Sequence, residues 1–278
     1  MEIIYYIVMG IVQGIAEFLP ISSSGHLALA SSFFNFTADE APAFDVLLHI
    51  GTLLAVFVVY RKDIFPLIPA FFSMMKKVFQ KKFKLSFYDT NERMVIYIII
   101  ATLPLVLIAL TGIEDKIELL KNYPMAIGGI LIFNGIVLMV SDRLSNGSTN
   151  GENAKPKNAI IVGACQMLAI LPGLSRSGST ITGGLLCNFD RQYAVKFSFI
   201  LSIPAILGSA VMKIDDLVEA SISTEQWLYY ALGMAVAAIF GFLAMKVLIF
   251  ISKKSNFTYF AYYCFAVGLA AIIYSAVR

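Results

Sequence analysis

Six apolar runs, at about 44–60, 94–112, 124–142, 195–212, 227–250 and 257–277, are each long enough to carry a helix across a hydrocarbon core about 30 Å thick. A chain built this way folds as an all-α polytopic membrane protein. Only 14% of its residues are charged and 59% are hydrophobic, against about 25% charged in soluble domains. No hydrophilic block is long enough for a separate soluble unit, so residues 1–278 read as a single membrane domain. The N-terminal stretch lacks the basic region and small-residue cleavage site of a signal peptide and is expected to stay in the mature protein. Cys165, Cys187 and Cys264 stand singly in apolar sequence and read as packing residues. A formal charge of +3 argues against a nucleic-acid partner.

Two further apolar regions, about 3–36 and 158–187, are interrupted near the middle by Pro, Gly and clustered Ser. Non-helical backbone at membrane depth is tolerated only where protein buries it or a wet cavity faces it. Each region therefore reads as a re-entrant helix-loop-helix hairpin. The segment 61–93 carries eight basic residues against three acids, which makes it the cytoplasmic loop. Alternating from there places 113–123 and the acidic stretch 213–226 outside, with 143–157 and Lys253-Lys254 inside. The first hairpin then enters from outside and the second from the cytoplasm. Part of 64–79 is apolar with lysines at its end and suits an amphipathic helix at the cytoplasmic interface.

Opposed hairpins imply an internal repeat. A gapless shift of 153 residues gives 13 identities over the 45 positions from 10 to 54, among them Gly10 with Gly163, Gln13 with Gln166, Ser22 with Ser175, Ser24 with Ser177 and Gly25 with Gly178. Repeat 1 covers about 1–142 and repeat 2 about 158–278. Each half holds one hairpin and three spans, an odd number of crossings, so the topology is inverted. Inverted repeats with broken helices place a site at the repeat interface.

The halves share Gln and Ser-x-Ser-Gly, and they diverge where Glu17 faces Ile170, Ser23 faces Arg176 and His26 faces Ser179. A guanidinium at membrane depth is costly without an anion or a cavity, and its fork matches phosphate oxygens. Gly173 and Gly178, with Ser175, Ser177, Ser179 and Thr180, would frame a phosphate cradle at a helix N-terminus. The competing role for Arg176 is a salt bridge to Glu17 that only pins the halves. Glu17, four residues after Gln13 and on the same helical face, would hold a divalent cation or act as general base. His26 would serve as nucleophile, as acid and base, or as a hydrogen-bonding residue. Of Ser22, Ser23 and Ser24, only Ser23 departs from the repeat scaffold and stands as a nucleophile candidate. Asp45 and His49 read as cavity lining, and Pro104 and Pro204 as kinks.

The stretches QGIAEFLPISSSGH (Gln13–His26) and PGLSRSGST (Pro172–Thr180) resemble the two signature motifs of the undecaprenyl-diphosphate phosphatases, the bacitracin-resistance family. The resemblance covers the whole chain. It implies an enzyme that removes the terminal phosphate of undecaprenyl diphosphate for reuse of the carrier in cell-wall synthesis. It also implies metal binding (Mg2+ or Ca2+) near Glu17 and Gln13, a serine-histidine pair at Ser23 and His26, and diphosphate binding at Arg176, Ser175, Ser177 and Thr180, with Ser22, Ser24, Gly173 and Gly178 completing the loops. Gln13 stands where some members carry Glu, one carboxylate fewer for the metal. The nucleophile stays open between His26, Ser23 and water. The implied partners are a polyprenyl diphosphate and membrane lipid, and a homodimer is compatible with the pattern. The implied location is the bacterial cytoplasmic membrane, with the pocket opening outward. The alternative is a secondary transporter or flippase of a phosphate-bearing prenyl lipid, which would need binding and alternating access but no acid-histidine pair.

Overall fold

The computed structural model describes residues 2–34, 41–82, 84–144, 147–213, 223–253 and 257–277. Thirteen helices follow one another among these residues: α1 (Glu2–Phe18), α2 (Ser23–Phe34), α3 (Ala41–Val59), α4 (Arg61–Ile64), α5 (Leu67–Phe79), α6 (Thr90–Ala109), α7 (Ile113–Glu118), α8 (Pro124–Arg143), α9 (Pro156–Leu168), α10 (Arg176–Leu186), α11 (Arg191–Met212), α12 (Thr224–Ser252) and α13 (Thr258–Val277). No strand forms among the described residues; Thr149 and Phe189 make an isolated bridge. Residues 214–222 of the acidic stretch, Lys254, and the repeat positions Asn35 and Phe36 lie outside the described residues.

Five of the expected spans are single helices of 20 to 29 residues: α6, α8, α11, α12 and α13. Local chemistry sets their ends more than apolarity does. α6 starts at Thr90 rather than 94 because Asp89 and Glu92 form a reciprocal capping box, and it stops at Ala109, short of the left-handed Gly112. Asp190 caps α11, so that helix begins at Arg191 rather than 195.

The remaining expected span, α3, ends where the chain bends by 78° into α4 and α5. The segment 61–93 is thus largely helical, and α5 falls within the 64–79 stretch expected as an amphipathic helix. Ala70 and Met74 of α5 pack on Tyr88 and Val95, while Ser73 and Lys77 donate to the Glu92 carboxylate, each at 2.6 Å. Ile68, Phe71, Phe72 and Phe79 remain exposed, the apolar side an interfacial helix offers to lipid.

Both interrupted regions are broken helices, α1 with α2 and α9 with α10. Their partners repeat as well, since α1 packs along α12, and α9 packs along α6. Repeat-related glycines permit each approach. A Cβ on Gly10 would lie 2.6 Å from the Gly233 carbonyl of α12, and one on Gly163 would lie 2.7 Å from the Ala101 carbonyl of α6. Small residues allow such backbone contact between membrane helices. α3 meets α11 and α8 meets α13, so elements of the two halves interlock. One apolar cluster joins Phe18 and Val56 of the first half to Leu201 and Met245 of the second.

Candidate active site

The repeated Ser-x-Ser-Gly scaffold builds the same cap twice. Ser22 accepts the Gly25 N–H at 3.3 Å ahead of α2, and Ser175 accepts the Gly178 N–H at 3.1 Å ahead of α10. Ser22 and Ser24 lie 3.4 Å apart, Ser175 and Ser177 3.1 Å. The caps satisfy backbone donors that a broken helix would otherwise leave open. Ser22 and Gly173 both take left-handed backbone, at φ 74° and φ 103°, which turns each loop back on itself.

These turns bring the two loops into contact. A Cβ on Gly25 would lie 2.9 Å from the Gly173 Cα. Asn134 of α8, fully buried, ties them further: its Nδ2 donates to the Pro20 carbonyl at 2.9 Å, and its Oδ1 accepts the Ser175 N–H at 3.2 Å. Sequence reading passed over Asn134. An amide in the middle of an apolar span was the available signal.

Glu17 is the meeting point. Its Oε2 accepts Ser23 Oγ at 2.6 Å and Gln13 Nε2 at 3.0 Å. Its Oε1 accepts Arg176 Nη2, across the repeat boundary. The second Arg176 nitrogen, Nη1, reaches the Ser202 carbonyl of α11 at 3.4 Å. His49 Nε2 stands 3.7 Å from Glu17 Oε2, while its Nδ1 bonds the Asp45 carbonyl at 2.7 Å. A cavity of about 260 Å³ is lined by Glu17, Ser23, Arg176, Asp45 and His49, with Ser22, Ser24 and Ser175 in the same wall. Three of the sequence-derived candidates, Gln13, Ser23 and Arg176, thus converge on the carboxylate of a fourth, Glu17.

Ser177 and Thr180 face inward rather than toward the cavity. Ser177 reaches the Leu19 carbonyl at 3.4 Å, and Thr180 Oγ1 pairs with Ser198 Oγ at 2.6 Å and the Arg176 carbonyl at 2.8 Å. Thr180 thereby supports the Arg176 backbone. Gly178 packs against Pro20 of the opposite loop, where a Cβ would sit 3.3 Å from the proline Cβ.

His26 is placed differently. Its Nδ1 lies 2.7 Å from the Ser22 carbonyl, and its Nε2 lies 2.9 Å from the Tyr263 hydroxyl, over a ring stacked at 5.5 Å. Because a carbonyl only accepts, Nδ1 carries the hydrogen and Nε2 accepts from Tyr263. The imidazole braces the loop and is not in the cavity wall with Glu17.

For a divalent cation the donors are oxygens. Gln13 Nε2 is committed to Glu17, which leaves Gln13 Oε1 buried with no hydrogen-bond partner, an orphaned carbonyl oxygen beside a carboxylate. Among the described residues no three His, Cys, Asp or Glu side chains are grouped to hold a metal. Gln13 and Glu17 suit a hard cation that completes its shell with water and phosphate oxygens.

The cavity opens at the end of the bundle away from the basic segment. Its far lining is Glu114, Glu118, Lys121 and Lys213, whereas a second cavity of about 540 Å³ at the other ends of α6 and α11 is lined by Lys62, Asp63, Thr90 and Lys196.

Known proteins resemble this chain over most of its length. The family described as Bacitracin resistance protein BacA matches residues 6–270. A protein named undecaprenyl-diphosphatase from Methanobrevibacter smithii is 43% identical over 221 residues, 78% of each chain. One of the same name from Rhodopirellula baltica is 40% identical over 237 residues, 85% of this chain and 84% of its own. Undecaprenyl-diphosphatase 1 of Shouchella clausii is 37% identical over 236 residues, 82% of this chain and 80% of its own.

Proposed function

The chain belongs to the bacitracin resistance protein family, and from that premise we infer an integral membrane phosphatase. It hydrolyses undecaprenyl diphosphate to undecaprenyl phosphate and inorganic phosphate, which returns the lipid carrier to cell-wall synthesis and underlies resistance to bacitracin. The observation that carries the chemistry is the Ser23 hydroxyl donating to Glu17 at 2.6 Å in a cavity that also holds Arg176.

Phosphoryl transfer asks for positioning and charge neutralisation. Arg176 would leave Glu17 for the terminal phosphate as substrate enters. Ser23 Oγ then attacks phosphorus, its proton passing to Glu17, and the bond from phosphorus to the bridging oxygen breaks to release undecaprenyl phosphate. That proton leaves with the departing undecaprenyl phosphate, and Glu17, ionised again, deprotonates the water that attacks the phosphoserine. The bond from Ser23 Oγ to phosphorus breaks, Oγ regains the proton from Glu17, and inorganic phosphate is freed. Gln13 and Glu17 would hold the divalent cation, which when bound neutralises phosphate charge. His26 keeps Ser22, and so Ser23, in place through the Ser22 carbonyl. Transport alone would leave the hydrogen bond from Ser23 to Glu17 without a use.

The site is read as opening to the outer side of the cytoplasmic membrane, because the basic segment 61–93 lies at the opposite end, and the two half-helix hairpins as an inverted, re-entrant pair. Phosphate release from a prenyl diphosphate by the purified protein tests the chemistry. With Mg2+ or Ca2+ present, Ser23→Ala, Glu17→Gln and Arg176→Ala should each lower kcat by about 10³-fold or more, and a chelator should abolish wild-type turnover. Full activity of Ser23→Ala would transfer the nucleophile to water.

A further inference from the structure

The cavity has a second pole that the chemistry above does not use. Glu118, from the segment between α6 and α8, receives two ammonium groups on the same oxygen, Oε1: Lys121 Nζ at 2.7 Å and Lys213 Nζ at 3.0 Å. All three side chains line the cavity that holds Glu17, Ser23 and Arg176. They reach it from separate places, Lys121 from a 3-10 turn after α7 and Lys213 from the residue that ends α11. Two cations converging on one anionic oxygen is the arrangement that receives an oxyanion.

α11 connects the poles. Arg176 bonds the Ser202 carbonyl, and the cavity wall then follows Ala205, Ile206, Ser209, Ala210 and Lys213 along one face of that helix. At 1.5 Å per residue, Ser202 and Lys213 are roughly 16 Å apart along the axis. The lysines therefore do not share Arg176's phosphate but stand farther out on the same wall. Glu118 fills their site with a single negative charge, and a phosphate near neutral pH carries about 1.5 to 2.

We propose that Lys121 and Lys213 form an outer phosphate-binding site at the cavity mouth, in which Glu118 is a built-in stand-in that a phosphate oxyanion displaces. The oxyanion comes from either of two sources, the inorganic phosphate leaving Ser23 or the headgroup of an arriving prenyl diphosphate. This rests on the phosphatase assignment only for the identity of those sources. Anion binding itself is measurable without turnover.

The first experiment titrates inorganic phosphate into the full-length Arg176→Ala protein by calorimetry, with the inner pole disabled. Binding should persist there, weaken about tenfold or more when Lys121→Ala and Lys213→Ala are added, return with Lys121→Arg and Lys213→Arg, and tighten several-fold with Glu118→Gln. The arginine pair guards against a mere folding defect. In proteins with Arg176 intact, a change in phosphate inhibition at unchanged KM assigns the site to the leaving product, and a change in KM at unchanged kcat assigns it to the arriving headgroup. Either supports the outer site. Phosphate affinity that is the same with and without the two lysines, or that falls in Glu118→Gln, overturns it, and does so whether or not Ser23 proves to be the nucleophile.

Discussion

At the scale of single residues, the polar side chains that interrupt apolar sequence were legible because each is costly there and must have a partner. Glu17, Ser23, Gln13 and Arg176 meet as their rarity implies, and the ion pair that competed with anion binding for Arg176 is present. A salt bridge and a phosphate site are not exclusive when the carboxylate is also the base. Sequence spacing did not reveal His26's direction, since a rotamer folds its ring back onto Ser22 and toward Tyr263. If His26 acts by bracing the loop, Tyr263→Phe should cost less than about tenfold in kcat, His26→Ala about 10² or more, and His26→Gln, which keeps a donor, should recover much of the loss. Steady-state kinetics on the three variants checks this, and a Gln variant no better than Ala would mean that the imidazole moves protons.

At the scale of elements, the broken helices and the spans were foreseeable from composition, and the ties between them were not. Asn134 holds Pro20 and Ser175 together, and nothing in its neighbourhood names those partners. Asn134→Leu leaves a buried carbonyl and a buried N–H unpaired, at about 1–3 kcal/mol each, and should lower the thermal midpoint of the solubilised protein and its kcat together. Nothing in the sequence pairs Glu118 with Lys213, 95 positions away, so their meeting was likewise hidden. Burial alone would raise the Glu118 pKa from 4.5, but Lys121 and Lys213 outweigh it and bring it to about 2. A lowered carboxylate pKa stabilises the fold above its unfolded value, and the benefit is lost as pH falls through the folded one. The difference in thermal midpoint between wild type and Glu118→Gln should stay constant from pH 8 to about 5, shrink below 4.5 and vanish near pH 2.

At the scale of the whole molecule, the two cavities sit at opposite ends of α6 and α11, and the aromatic side of α5 lies with the basic end. The basic segment was the sequence signal for orientation, and its apolar stretch with terminal lysines was the signal for the helix Leu67–Phe79; the short helix Arg61–Ile64 and the 78° bend before it had none. Among the native thiols Cys187 and Cys264 are buried, which favours cysteine labelling once all three are replaced. An impermeant maleimide applied from outside should modify Glu118→Cys in intact cells and spare Lys62→Cys until the membrane is opened. Equal labelling of both would contradict a fixed outward-opening site.

The contact between Gly25 and Gly173 leaves no room for a methyl group on the first, and it joins the two halves of the chain at positions that are not counterparts, since Gly25 matches Gly178. If the halves descend from one duplicated ancestor, this seam is where their histories stayed bound together. A side chain gained by one loop could survive only alongside a retreat of the other, so the region should drift in correlated pairs while the rest of each copy changes on its own.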